Sequence, residues 1–444
     1  MAIKLPGAWF RRKLKEQLGI LESEGVLSPS QVQQLTDRYR LGNLAAETMQ
    51  SLLTTIYVIG SVLIGIGVIS FVAAHWNDLG RSVKLALIFS AMLLAHAAGF
   101  YLWKIHGRFP KLGHTLVLLG TLIFGANIGL VAQIFHIMDN PYNAFLAWCI
   151  GAVAMAYAVE SLPHGILALI IAIIYAFGEC GPNRDIVFWW PFFILAVFVP
   201  MVYFLRSKTI AWLTAIVFVF SIVVRMAQRS QMWEEGFGII VGLAISGLGV
   251  LAWGLIQHSA GLGALAAEAG SVVGVFSVSL AAFLCSFHEI CQEIAPVHIL
   301  KLTGWSINTM VGVSVLAISG IAAGITLVRG LNRVKFLLLI TAVLIVTMTL
   351  IRPPGMTYLE MTIAGNGLFL LMDCILFYAS FVYEDRRIFW ASVLMAVTLV
   401  VARTLEYETE LLIKAAVFTG CGIGLIAAGV FFERYLRDRR LSHA

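Results

Sequence analysis

Residues 113–135 read GHTLVLLGTLIFGANIGLVAQIF, a run without a single Asp, Glu, Lys or Arg. An α-helix rises 1.5 Å per residue, so about twenty such residues cross the roughly 30 Å hydrocarbon core of a bilayer. The pattern of apolar run, short polar loop and apolar run repeats from residue 52 onward. The runs lie near 52–74, 83–103, 113–135, 142–159, 162–178, 187–205, 209–226, 235–257, 270–287, 305–328, 334–351, 360–382, 387–404 and 411–432. The sequence therefore predicts an all-α protein. Residues 51–444 form a polytopic transmembrane helix bundle of about 14 spans, preceded by a short N-terminal cytosolic helical hairpin over residues 1–50.

Composition points the same way. Of the 444 residues, 60% are hydrophobic and only 12% are charged, about half the charge of an average soluble protein. That charge does not cover the surface of a soluble globule, which excludes a soluble enzyme, a nucleic-acid-binding protein and a disordered chain. The net charge of +6 arises from basic residues scattered between apolar runs. With the N-terminus in the cytoplasm and spans alternating, 21 of the 30 Lys and Arg residues fall on the cytoplasmic side, as the positive-inside bias demands. Both termini are expected in the cytoplasm, with an even number of spans. The start, MAIKLPGAWFRRKLKEQ, has no apolar core of a cleavable signal peptide, so the first span serves as the insertion signal. The six cysteines include no CxxC pair. Trp and Tyr at run ends, Trp76, Trp103, Trp148, Trp190 and Trp390 among them, read as an interfacial aromatic belt. Gly60, Gly65 and Gly67, then Gly120, Gly125 and Gly129, then Gly242, Gly247 and Gly254 read as surfaces for close helix packing. The string LAISG occurs at 243–247 and again at 316–320.

In residues 1–50, Leu14, Leu18 and Leu21 share one helix face. Gly25 breaks that run. Ser28-Pro29-Ser30-Gln31 then supplies an N-cap, a Pro at the first helical position and a Gln that closes a capping box. Val32, Leu35 and Tyr39 face one way on the second helix. This hairpin lies on the cytosolic membrane face and is the place for a cytosolic partner or for self-association. A DNA-reading role is not expected of so short a tethered piece.

Ionisable and amide side chains at bilayer depth are costly, and each is a functional-site hypothesis. Asp373 stands mid-span in GLFLLMDCILFYA and needs a partner, a water-filled cavity or a proton. Asn366 lies seven residues earlier, two turns away on the same face. Asn127 and Gln133 read as buried amides of the third run, followed by His136 and Asp139 at its outer end. His75, Trp76 and Asp78 occupy the outer end of the first run, and the two sets converge on one outward-facing polar pocket. Nearer the helix ends, Arg225, Arg403 and Lys414 read as snorkelling anchors, and Glu360 and Arg352 as a pair across a loop. The stretch SFHEICQEIAPVH at 286–298 is rich in metal-ligand residue types but matches no zinc spacing. No metal, cofactor or catalytic residue is assigned.

Three stretches carry a resemblance. They are the run GVLSxxQxxxLxxRY from Gly25 to Tyr39, a glycine-rich first span ending in Phe71, Ala73 and Trp76, and the run GAxIxLxAQIxHI from Gly125 to Ile137. Together they resemble the bacterial predicted-membrane-protein family called domain of unknown function 2157, over about the first 150 residues. The resemblance implies a bacterial inner-membrane protein and draws attention to Trp76, Gln133 and His136. It implies no activity.

Three functions fit the residues. The first is a transporter or flippase of a small solute or lipid-linked substrate, with Asp373 carrying a coupling proton or cation. Its path is lined by Asn366, Asn127, Gln133, His136, Asp139, His75, Trp76 and Asp78. The second is a non-transporting scaffold, sensor or assembly factor, in which Asp373 is fully paired. The third, an intramembrane enzyme acting on lipid, would depend on His75, Asp78, His136 and Asp139. The partners expected are the bilayer and whatever docks on residues 1–50.

Overall fold

The computed structural model describes residues 8–39, 41–43, 56, 63, 79–136, 142–178, 189–228, 235–259, 263–293, 332–350, 357–407 and 410–442. The chain divides into two compact units, residues 1–87 and 88–444.

The first unit contains α1 (Ala8–Ser23), α2 (Pro29–Arg38) and a 3-10 turn at Leu41–Asn43. Gly25 makes the turn between the helices at φ +73°, a conformation that glycine adopts without strain. Ser28 opens α2 with a reciprocal cap. Gln31 N–H donates to Ser28 Oγ, and Ser28 N–H donates to Gln31 Oε1 at 3.0 Å. Leu18 and Leu41 are buried, with Leu14, Leu27, Val32, Leu35 and Tyr39 packed around them.

The apolar helices follow. They are α3 (Arg81–Phe100), which runs on into a π-helical turn at Tyr101–Ile105, then α4 (Pro110–Ile134), α5 (Tyr142–Ala158) and α6 (Leu162–Gly178). Next come α7 (Trp189–Phe204), α8 (Lys208–Gln228), α9 (Glu235–Ser259), α10 (Ala264–Leu284) and the short α11 (His288–Glu293). Then come α12 (Arg333–Leu350), α13 (Tyr358–Tyr383), α14 (Arg386–Glu406) and α15 (Leu411–Ser442). Among the described residues there is no strand. Eight helices are long and apolar enough to cross a membrane: 81–105, 110–134, 208–227, 238–255, 266–284, 358–383, 386–406 and 411–439. Three shorter apolar helices span 142–158, 162–177 and 190–204. The all-helical, membrane-crossing architecture is thus present, with eight such helices among the described residues against the fourteen expected. The runs at 52–74 and 305–328, with Gly60, Gly65, Gly67 and the second LAISG string, lie outside the described residues.

Small residues set the tightest contacts. α9 and α10 meet backbone to backbone: a Cβ added at Gly254 would lie 2.5 Å from Ser271 N, and one at Gly274 would lie 2.5 Å from Leu251 N. Gly120 and Gly125 of α4 receive side chains instead. Gly125 receives the Trp148 ring, whose indole N–H donates to Thr121 O at 3.0 Å. Trp148 is therefore not a belt residue. Nor is Trp190, which is fully buried with its ring 4.3 Å from that of Tyr175. In both cases the large ring fills space between helices that small or flat neighbours leave open.

Besides His136 after α4, three helices among the described residues end on a non-glycine residue in the left-handed region. Glu160 has φ +49°, Arg206 +47° and Glu384 +53°. In each case the next residue reaches back to a carbonyl of the last turn, as Ser161 N–H does to Ala156 O at 3.1 Å. This terminating geometry favours glycine. Glu160 is exposed, so Glu160→Gly is expected to stabilise the protein by about 1 kcal/mol through relief of the Cβ clash. The thermal midpoint in detergent reads this out; an unchanged or lower midpoint counts against it.

Candidate functional site

α13 begins with a second capping box. Thr357 N–H donates to Glu360 Oε2 at 2.7 Å, and Glu360 N–H donates to Thr357 Oγ1 at 3.3 Å. Glu360 is thus engaged by its own helix, while its expected partner Arg352 lies outside the described residues. Asp373 falls in the third turn from the end of the span and is 7% exposed. Phe369 and Met372 beside it belong to an apolar cluster with Leu339 and Ile345 of α12, Val278 of α10 and Leu399 of α14. Asp373 Oδ1 is buried and has no hydrogen-bond partner among the described residues. A carboxylate left in this state is costly unless water, a proton or a ligand reaches it.

Asn366 is committed elsewhere. Its Nδ2 donates to Ser286 O at 3.1 Å and to Thr362 O at 2.8 Å. Ser286 sits where α10 stops and α11 has not begun, a break whose backbone groups need partners. Gly365 lets α13 approach this break, because a Cβ there would lie 2.6 Å from Cys285 O. From α14, Arg403 Nη1 donates to Ser286 O at 2.7 Å, and Arg403 Nη2 donates to Ser286 Oγ at 3.0 Å. The guanidinium carbon lies 4.4 Å from the centre of the Phe287 ring. Arg403 also pairs with Glu406, whose other oxygen accepts from His288 N–H at 2.7 Å. One ion pair therefore clamps the last turn of α10 and the first turn of α11. Arg403 is not the snorkelling anchor the sequence suggests. The missed signal is the opposite charge three residues on, one turn away on the same face.

In the first third of the chain, Asn127 is buried in α4 and its Nδ2 donates to Ile88 O on α3 at 3.0 Å. Gln133 is exposed in the last turn of α4, so it is not the buried amide expected. His136 is also exposed and ends the helix at φ +54°. Trp76, His75, Asp78 and Asp139 lie outside the described residues. The two acidic and amide sets of the chain, around Asn127 and around Asp373, occupy different helices and share no hydrogen bond among the described residues.

A group that the sequence reading passed over is the trio His96, His114 and His164. His164 of α6 is fully buried, with Nδ1 2.6 Å from Ser161 Oγ. His114 of α4 stands edge-on to it, with ring centroids 5.9 Å apart. His96 of α3 nestles against Gly120 of α4. Eighteen and fifty residues separate these histidines, so no spacing announces them. The available signal was simply that a histidine inside an apolar run is rare. Among the described residues, no set of three His, Cys, Asp or Glu side chains is arranged to hold a metal ion. In the stretch from Ser286, the Cys291 thiol donates to Cys285 O at 3.1 Å.

Comparison with known proteins gives a match over the first third of the chain. Residues 20–165 match the family of predicted membrane proteins designated domain of unknown function 2157. No curated protein and no solved structure matches the chain. Together with the apolar helices, the match makes this a membrane protein with several transmembrane helices. The DUF2157 match takes in Asn127, Gln133, His136 and all three clustered histidines. Asp373 and the Arg403–Glu406 clamp lie beyond it.

Proposed function

We propose that the chain is a transporter or flippase of the bacterial inner membrane, moving a small solute or a lipid-linked substrate with a proton or cation coupled at Asp373. In this reading the bundle has about fourteen spans with both termini in the cytoplasm, and residues 1–50 offer a cytosolic surface for a partner or for self-association. The observation that carries it is the orphaned Oδ1 of Asp373, 7% exposed and mid-helix in an apolar cluster. The scaffold reading requires this carboxyl to be satisfied by a basic or amide side chain. Asn366, the nearest amide on its helix face, gives its donors to Ser286 and Thr362 instead. A buried carboxyl whose Oδ1 has no hydrogen-bond partner among the described residues suits a reversible ion-binding step.

The test compares the parent with Asp373→Asn in detergent, following unfolding across about pH 5 to about pH 9. The asparagine variant is expected to fold and to lack the parent's pH-dependent change in stability. Severe destabilisation without a separate pH signature would instead make Asp373 a structural residue, and the scaffold reading would lead.

A further inference from the structure

The turn between α3 and α4 gathers cations with no anion opposite them. Lys104, Arg108 and Lys111 fall within eight residues. No Asp or Glu occurs between Asp78 and Asp139, so the helical hairpin has no acidic residue of its own to pair them. All three side chains are exposed, and none enters an ion pair among the described residues.

The backbone explains why they stand together. α3 finishes in the π-helical turn at Tyr101–Ile105, where His106 N–H donates to Tyr101 O at 2.7 Å. Gly107 then turns the chain at φ +64°, a conformation that glycine adopts without strain. Pro110 starts α4 at once, and Phe109 before it supplies no side-chain cap. The positive end of the α4 dipole therefore adds to the three cations. Lys104 Nζ lies 4.3 Å from the centre of the Trp103 ring, and the Arg108 guanidinium carbon lies 5.7 Å from that of Phe109. Apolar side chains are interleaved with the charges: Ile105, Phe109 and Leu112 are all exposed, Ile105 at 66%.

Charge and depth together select the ligand. The two helices that flank the turn, 81–105 and 110–134, are long and apolar enough to cross a membrane. A turn between two crossing helices lies at the bilayer surface, level with the lipid phosphates. Cations at that level attract anionic headgroups, and the apolar side chains beside them suit the acyl side of the same molecule. Free phosphate or an acidic peptide would engage the cations and leave Ile105 and Phe109 unused.

We propose that the α3–α4 turn binds the headgroup of an anionic phospholipid, with Lys104, Arg108 and Lys111 on the phosphate and Ile105, Phe109 and Leu112 against the acyl side. The site is separate from Asp373 in sequence and in helices, and it does not rest on the transport reading.

The test is lipid binding to the full-length, delipidated protein in a neutral detergent, read by native mass spectrometry. Dioleoylphosphatidylglycerol is titrated against dioleoylphosphatidylcholine. The parent is expected to prefer phosphatidylglycerol by about tenfold in Kd, and the triple variant Lys104→Gln, Arg108→Gln, Lys111→Gln to lose that preference. Arg434→Gln with Arg437→Gln, which removes two exposed cations of α15, leaves the preference in place. Phe109→Ser weakens phosphatidylglycerol binding while all three cations remain, and inorganic phosphate does not displace the lipid. A parent without preference overturns the proposal, and so does an equal loss in the α15 variant, which would mean general surface charge. Displacement by inorganic phosphate also overturns it, in favour of a simple anion site. Should the triple variant fail to fold, Arg108→Gln alone carries the test, with a weaker preference for phosphatidylglycerol expected and an unchanged one counting against the proposal.

Discussion

Arg403→Ala is expected to destabilise the protein by about 3–5 kcal/mol, the loss typical of breaking a buried ion pair from one side. The substitution leaves Glu406 charged and 7% exposed, with the His288 N–H as its remaining donor. It also withdraws two donors from Ser286 and the cation from the face of Phe287. The size of the loss would come mainly from the stranded carboxylate, and that origin makes a second expectation. Replacing both partners, Arg403→Met with Glu406→Leu, should recover much of the lost stability, since apolar replacements of a buried pair are often neutral. What it cannot recover is the His288 N–H, whose lost partner costs about 1–3 kcal/mol. Chemical unfolding of the three proteins in detergent measures both steps. A double variant as unstable as the single one would mean that the packing of α14 against the α10–α11 break, and not the unpaired charge, carries the effect.

The clamp also shows which parts of the molecule are readable in sequence. Helices were legible because each rests on local regularities: apolar runs of bilayer length, the Ser28 to Gln31 capping box, and Asp373 alone in the middle of its span. Contacts between distant helices were not. Arg403 meets Ser286 across 117 positions, and His114 meets His164 across 50. Nothing in the local pattern encodes such partners, because any helix of a bundle can present one face to several others. Trp148 and Trp190 illustrate the same point. Their positions at run ends suggest the interface, yet each ring is placed by a neighbouring helix that leaves room for it. Gln133 misled for the opposite reason: an amide in an apolar run reads as buried, but one turn from the helix end it reaches the surface. Asn366 shares a helix face with Asp373 as its spacing requires, but the break after α10 claims its donors.

Gly254→Ile is expected to lower stability by about 3 kcal/mol or more, at or above the usual upper range for overpacking. The reason lies in what the new side chain would meet. At Gly254 the nearest atoms are Ser271 N at 2.5 Å and Gly270 C at 2.7 Å, and a Cβ at Gly270 would in turn lie 2.7 Å from Gly254 Cα. These are backbone atoms, so no rotamer change makes room, and α9 and α10 must move apart as bodies. Separation there would also open the contacts of Gly247 with Ser277 and Val278 and of Gly274 with Leu251 further along the same pair. In lipid, where no hydrophobic force drives helices together, such close packing supplies much of the association. Gly367→Ala in α13 is the matched control, because no atom lies within 4 Å of the position its Cβ would take. It should change stability by no more than about 1 kcal/mol. The proportion of folded monodisperse protein after purification, followed by unfolding of whatever survives, separates the two. Equal tolerance of both substitutions would show that the α9–α10 crossing yields without loss, and that the glycines there answer to something other than close approach.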